Sequence, residues 1–234
     1  MHKIIETELG GKKLTLETGK LAKQANGAVL VSFGDTRVLV TAVADKSEKE
    51  GLDFFPLTVD FVEKFYASGK IPGGYLKRES KPTDNATLVS RLIDRPIRPL
   101  FPENFKSETQ IIATVLSYDA DHGADQAGII GTSAALMLSD IPFNGPIAAC
   151  RVARVNGKLI AAPSVEELKN SDIDILVASS EKAVVMVEGA SKGIPENEML
   201  EAIMFAFESA QPAIQAQKKK IGRASCRERV YHPV

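Results

Sequence analysis

The sequence predicts a two-layer α/β or α+β fold, with helices covering a mixed sheet. Three observations predict it. β-rich runs come in pairs around tight-turn residues, helical stretches fall between the pairs, and one helical stretch, 125–138, is apolar and rich in small residues as if packed against a sheet. The 234 residues are 44% hydrophobic and 25% charged, the balance of a globular chain long enough for one large or two small units.

The elements follow in order. Leu14, Leu16 and Thr18 alternate with Lys13, Thr15 and Glu17, the period of a half-buried strand. Ala28–Phe33 and Arg37–Val43 are strands around a tight Gly34-Asp35-Thr36 turn, and Leu57–Val62 is another strand. Periodicity then stops from Glu63 to Pro82, where Gly69, Pro72, Gly73, Gly74 and Pro82 mark a long loop. A helix follows, capped by Thr83 or Asp84, with Leu88, Leu92 and Ile93 on one face and ended by Pro96 and Pro99. Thr109–Ser117 is a buried-type strand, and Ile141–Pro146 is a turn and an internal boundary. Beyond it, Ile147–Val155 and Lys158–Ala162 form a hairpin around Asn156-Gly157. Ser164 and Glu167 form a capping box for a short helix, and Ile173–Val177 and Ala183–Val187 are two more strands. Pro195 opens a long helix with Glu196, Glu198 and Glu201 at its start and Lys218–Lys220 at its end, which suits the helix dipole.

Several function classes are disfavoured. No apolar run approaches the roughly 20 residues of a membrane helix, and the N-terminus reaches Glu6 too soon for a signal peptide, so a cytoplasmic protein with no membrane partner is expected. Two cysteines and three scattered histidines give no disulfide framework and no zinc spacing. No glycine pattern is a P-loop. Asp172 and Asp174 could bind a metal, but a solvent-edge strand entry is the plainer reading. Gly123-Ala124-Asp125 opens a helix whose N-terminus could hold phosphate, yet Asp125 repels an anion. Cys150 reads as a core thiol, and His122 as a surface or capping residue.

The charge distribution points to a polyanion. From Lys70 to Arg98, seven basic residues face three acids, although the whole chain has net charge −1. Tyr75, Leu76, Lys77 and Arg78 place an aromatic beside two cations on the loop, the combination that stacks a base and holds phosphate. Arg91, Arg95 and Arg98 recur at spacings of four and three and share a helix face. These seven residues are the candidate single-stranded RNA site. A solvated loop beside a helix whose arginines pair with Asp84 and Asp94 explains the charges equally well.

Four strings go further: Gly69–Glu79, Ser90–Pro102 (SRLIDRPIRPLFP), Ile130–Leu136 and Ile141–Pro146. Together they closely resemble the first RNase PH-like core of the bacterial polynucleotide phosphorylase family, over about residues 3–220. The resemblance implies an RNase PH-like core, a ribosomal-protein-like βαβ fold, in two parts: residues 1–145, and residues 146–220 as its C-terminal part. It implies a trimeric ring that degrades RNA from the 3′ end with inorganic phosphate as co-substrate, releases nucleoside diphosphates, and runs in reverse as a polymerase. It implies a second core assisted by Mg2+, and RNA-degradosome proteins as further partners.

The chain departs from the family's active core at two places. A serine run precedes the phosphate-holding helix there, where this chain has Gly123-Ala124-Asp125. An Asp–Lys strand there matches Ser171–Val177 here, with Leu176 at the lysine position. An apolar side chain cannot stabilise transition-state charge. The expected role is therefore a non-catalytic core with no metal of its own, which grips RNA. Leu76 for an aromatic and Lys77 for an arginine weaken that grip. An autonomous RNase PH-type nuclease and a structural RNA-binding module are the alternatives. Residues 221–234 break the preceding pattern and read as a non-native tail, such as translated adapter DNA leaves.

Overall fold

The computed structural model describes residues 2–48, 53–73, 79 and 81–221, and its strands divide between two sheets. The first contains β1 (Lys3–Leu9), β2 (Lys12–Thr18), β3 (Gly27–Phe33), β4 (Thr36–Glu48), β5 (Leu57–Val62) and β6 (Ser107–Ser117), in the order β1-β2-β3-β4-β6-β5. All pairs are antiparallel except β5 with β6. A parallel pair needs a crossover, and helix α1 (Asp84–Ile97) lies within that connection. The second sheet is antiparallel, with β7 (Ala148–Val155), β8 (Lys158–Ala161), β9 (Ile173–Ser179) and β10 (Val184–Ser191) in the order β10-β9-β7-β8. Helices α2 (Ala124–Leu138), α3 (Val165–Lys169) and α4 (Glu196–Ala216) follow in chain order.

Helix α2 is buried from Ala124 to Leu136 without a polar face, because it packs on β3 and β4 of the first sheet and on β7 of the second. Its small residues permit the close approach. A Cβ on Gly131 would lie 2.6 Å from the Cγ2 atoms of Val31 and Val40, and one on Gly27 would lie 2.0 Å from the Ala135 carbonyl oxygen. Helix α4 packs on β7 and β9 and reaches β1, where the Thr7 hydroxyl donates to the Pro212 carbonyl at 3.1 Å. A closed polar knot fastens the end of α4 to the centre. Ser133 Oγ donates to Gln217 Oε1 at 2.8 Å, Gln217 Nε2 donates to the Ile147 carbonyl at 3.0 Å, and the Ile147 amide donates to Ser133 Oγ at 2.9 Å.

Most expected elements form. Asn156 and Gly157 both take positive φ, as the hairpin between β7 and β8 requires, and both halves of the Ser164–Glu167 capping box are present. Three points differ. Strand β1 was not expected: only Ile5 and Leu9 of its seven residues are buried, and the adjacent Ile4 and Ile5 break the alternation of a half-buried strand. Helix α1 passes through Pro96 and ends at Ile97, since in the last turn the missing N–H and the crowded carbonyl of Leu92 affect a single bond. Its buried stripe is Ala86, Val89, Ile93, Pro96 and Ile97, while Leu88 is 60% exposed. Thr83 is the cap, its hydroxyl accepting from the Ala86 amide at 3.0 Å. Within the loop from Glu63, residues Phe65–Ser68 form one 3-10 turn closed by Gly69 at φ 69°. No helix among the described residues is long and apolar enough to cross a membrane.

Candidate nucleic-acid interface

Tyr75, Leu76, Lys77 and Arg78 lie outside the described residues, so the geometry of the interface rests on α1 and its neighbours. The three helix arginines have different surroundings. Arg91 is exposed and has no ion-pair partner among the described residues. Arg95 reaches Glu188 on β10. Arg98 braces the entry to β5. Its Nε and Nη2 donate to the Asp94 carboxylate at 3.2 and 2.8 Å, and Nη1 and Nη2 donate to the carbonyls of Phe55 and Leu57 at 3.2 and 3.1 Å. Among these three, Arg91 offers the most available charge.

Behind the loop a cavity of about 490 Å3 opens between the 3-10 turn, the ends of α1 and β6, the start of α2, and the segment leading into α3. Its floor carries Asp125 and Arg151, two members of an ion-pair triad that Asp174 completes from behind Arg151. Arg151 on β7 makes a two-pronged contact with Asp174 on β9, Nε to Oδ1 at 2.7 Å and Nη2 to Oδ2 at 2.8 Å. Arg151 Nη1 donates to Asp125 Oδ2 at 3.1 Å, while Asp125 Oδ1 accepts the Gln126 amide at 2.8 Å. Asp125 thus places a carboxylate at the start of α2, where the helix dipole favours an anion. Asp174 and then Asp125 hold the guanidinium proton above its usual range. Arg151 stands opposite Leu176 in the strand register and shares its face, so the cation here comes from the neighbouring strand.

Asp172 is engaged too. Arg154 donates to both its oxygens, at 2.9 and 2.7 Å, and also meets Glu198 on α4. The Arg154 contact holds the Asp172 carboxyl below its usual range. Asp172 and Asp174 do stand at the entry to β9 with side chains 43% and 33% exposed, and each is in addition held by a guanidinium clamp. No group of three or more His, Cys, Asp or Glu side chains among the described residues could hold a metal ion, and the two aspartates do not fit Mg2+, because each already faces a guanidinium.

Sequence reasoning missed Arg151, Gln126, Phe65 and Tyr118. Arg151 had a signal, a charge inside the small apolar run Ala148–Ala153. Gln126 is 1% exposed and its Oε1 accepts the Arg151 amide at 2.9 Å. His122 caps no helix; its Nδ1 lies 2.6 Å from Asp119 Oδ2 and its ring meets Phe33 edge-on.

Comparison with known proteins gives the lineage. The chain is 56% identical to the polyribonucleotide nucleotidyltransferase of Geotalea uraniireducens over all of its length and 34% of that protein. It is 57% identical to the enzyme of that name from Pelobacter propionicus, over 94% of this chain and 31% of that one. The chain thus spans about a third of the length of the curated relatives it matches. The rice Rrp46 crystal structure superimposes with a TM-score of 0.71 at 14% identity, covering 92% of this chain and 96% of that one, which shows a shared fold. The models for domain 1 and domain 2 of the 3′ exoribonuclease family match residues 10–142 and 145–209. Carrying both domains in sequence, the chain belongs to the 3′ exoribonuclease family.

Proposed function

We propose that this chain is the RNA-gripping, non-catalytic first core of a polyribonucleotide nucleotidyltransferase, a 3′-to-5′ phosphorolytic exoribonuclease of mRNA degradation and RNA processing. The observation that carries the reading is the triad on the cavity floor. Phosphorolysis needs a place for inorganic phosphate, and here Asp125 and Asp174 already neutralise the one guanidinium there. At Arg151 a phosphate would meet two carboxylates for one guanidinium, and of the cavity's two lysines Lys64 is paired with Glu79 and Lys70 stands exposed, so this core holds RNA and leaves cleavage to another. The grip consists of Tyr75, Leu76, Lys77 and Arg78 on the loop, with Arg91 and, more weakly, Arg95 and Arg98 on α1. Mg2+ acts in the second core of the full-length enzyme, which works as a cytoplasmic homotrimer and meets degradosome proteins there.

Two measurements on the purified chain test this reading. Oligoadenylate with inorganic phosphate should yield no nucleoside diphosphate; release at an enzymatic rate would make the chain an autonomous nuclease. Lys77→Ala with Arg78→Ala should weaken single-stranded RNA binding and reduce the slope of log K against log salt by about 1 to 2. An unchanged slope would remove the loop from the grip.

A further inference from the structure

The cavity floor is closed to phosphate, but it keeps hydrogen-bond donors. Gln126 is 1% exposed and lines the cavity; its Oε1 is taken by the Arg151 amide, and its Nε2 has no acceptor among the described residues. Arg151 lines the same cavity and carries five N–H groups, of which three go to the carboxylates of Asp125 and Asp174. The floor therefore presents amide and guanidinium N–H groups in a setting with no surplus positive charge. Such donors suit a neutral carbonyl or ring-nitrogen acceptor and disfavour a phosphate dianion. Above them, Phe65 and Tyr118 line the cavity with rings 46% and 47% exposed. Lys70 stands on the exposed wall, outside the floor. At about 490 Å3 the space lies within the range of about 300–1,000 Å3 common for small-molecule sites.

We infer that this cavity is a nucleobase pocket: one unpaired base stacks on Tyr118, beside Phe65, and presents its acceptor edge to Gln126 and Arg151, while its phosphate stays outside near Lys70. The inference rests on the reading of the chain as an RNA-holding core. It adds a second foothold for the strand, one that reads a base where the loop reads charge.

Calorimetric titration of the full chain with uridine, adenosine, inorganic phosphate and an oligouridine octamer tests it, using the wild type, Tyr118→Ala and Gln126→Glu. Gln126→Glu keeps the oxygen that accepts the Arg151 amide and removes the donor; Tyr118→Ala alters an exposed ring and should leave the fold intact. Each substitution should weaken binding by about fivefold or more, the low end of what a lost stacking or base-edge contact does. Loss seen with free nucleosides identifies a nucleoside site. Loss seen with the octamer alone identifies a base within a strand. Unchanged affinity for every ligand in both folded variants overturns the pocket, and so does displacement of nucleoside by inorganic phosphate. The loop is separable, because cavity variants should lower affinity at unchanged salt slope, whereas Lys77→Ala with Arg78→Ala should change the slope.

Discussion

Arg151 and Arg154 stand three apart on β7 and so point to opposite faces of the second sheet, one to Asp125 on α2 and the other to Glu198 on α4. Each also clamps an aspartate at the start of β9, so the two guanidinia fix that corner from both sides. Asp172 carries a testable consequence. Because Arg154 depresses its folded pKa, Asp172 contributes stability that is fully present above the unfolded value of about 3.9 and is lost as pH falls through the folded value. Arg154→Met should therefore lower the urea midpoint most near neutral pH, and the gap to the wild type should narrow between about pH 5 and pH 2. A gap that stays constant over that range would show that the pair contributes nothing pH-dependent. At this scale the sequence singled out Asp125, Asp172 and Asp174 but read the last two as a solvent-edge strand entry. It could not supply their partners, since pairing across strands depends on a register set by the whole sheet. Cys150 was easier, as a thiol inside an apolar run; it is buried, and burial pushes its pKa up to about 12.

Secondary structure was legible wherever the signal was local. The Asn156-Gly157 turn, the capping box at Ser164 and the apolar, small-residue character of α2 each follow from residues that touch one another along the chain. Legibility failed where tertiary packing outweighed the local pattern. Pro96 sits in the last turn of α1, buried with Ile93 and Ile97, and β1 takes its place through pairing with β2 although only Ile5 and Leu9 of it are buried. Why α2 is rich in small residues becomes clear only with two sheets around it. At Gly131 a methyl group would press on two valines, one from β3 and one from β4, and a backbone held by two sheets cannot move away. Gly131→Ala should therefore destabilise the fold by about 1–3 kcal/mol in urea denaturation, the usual effect of overpacking. Gly73→Ala is the comparison, because its added methyl would meet nothing nearer than 4.0 Å, and it should stay within about 0.5 kcal/mol of the wild type. Equal effects at the two sites would argue that α2 can shift to accept the methyl.

The two matched family domains meet in one continuous core rather than in two. Helix α2, from the first, lies against β7, from the second, and α4 returns to touch β1. The triad joins the same halves by charge, and the Ser133–Gln217–Ile147 knot joins them by hydrogen bonds in a fully buried place. Such an arrangement should unfold as one unit. Gln217 is the sharpest probe, since it contributes both a donor and an acceptor to the knot and is 0% exposed. Gln217→Leu fills the same space but leaves the Ser133 hydroxyl and the Ile147 carbonyl without their partner. At about 1–3 kcal/mol for each buried group left unpaired, the loss should be about 2–4 kcal/mol. Two readouts follow it, far-UV circular dichroism for the whole chain and labelling of Cys150 for the second sheet, in a Cys226→Ser background so that a single thiol reports. In the parent both should trace one urea transition, and in Gln217→Leu both should move together to lower urea. If Cys150 became reactive at urea concentrations where circular dichroism was unchanged, the second sheet would be opening by itself, and the knot would be a local clasp rather than part of a single cooperative fold.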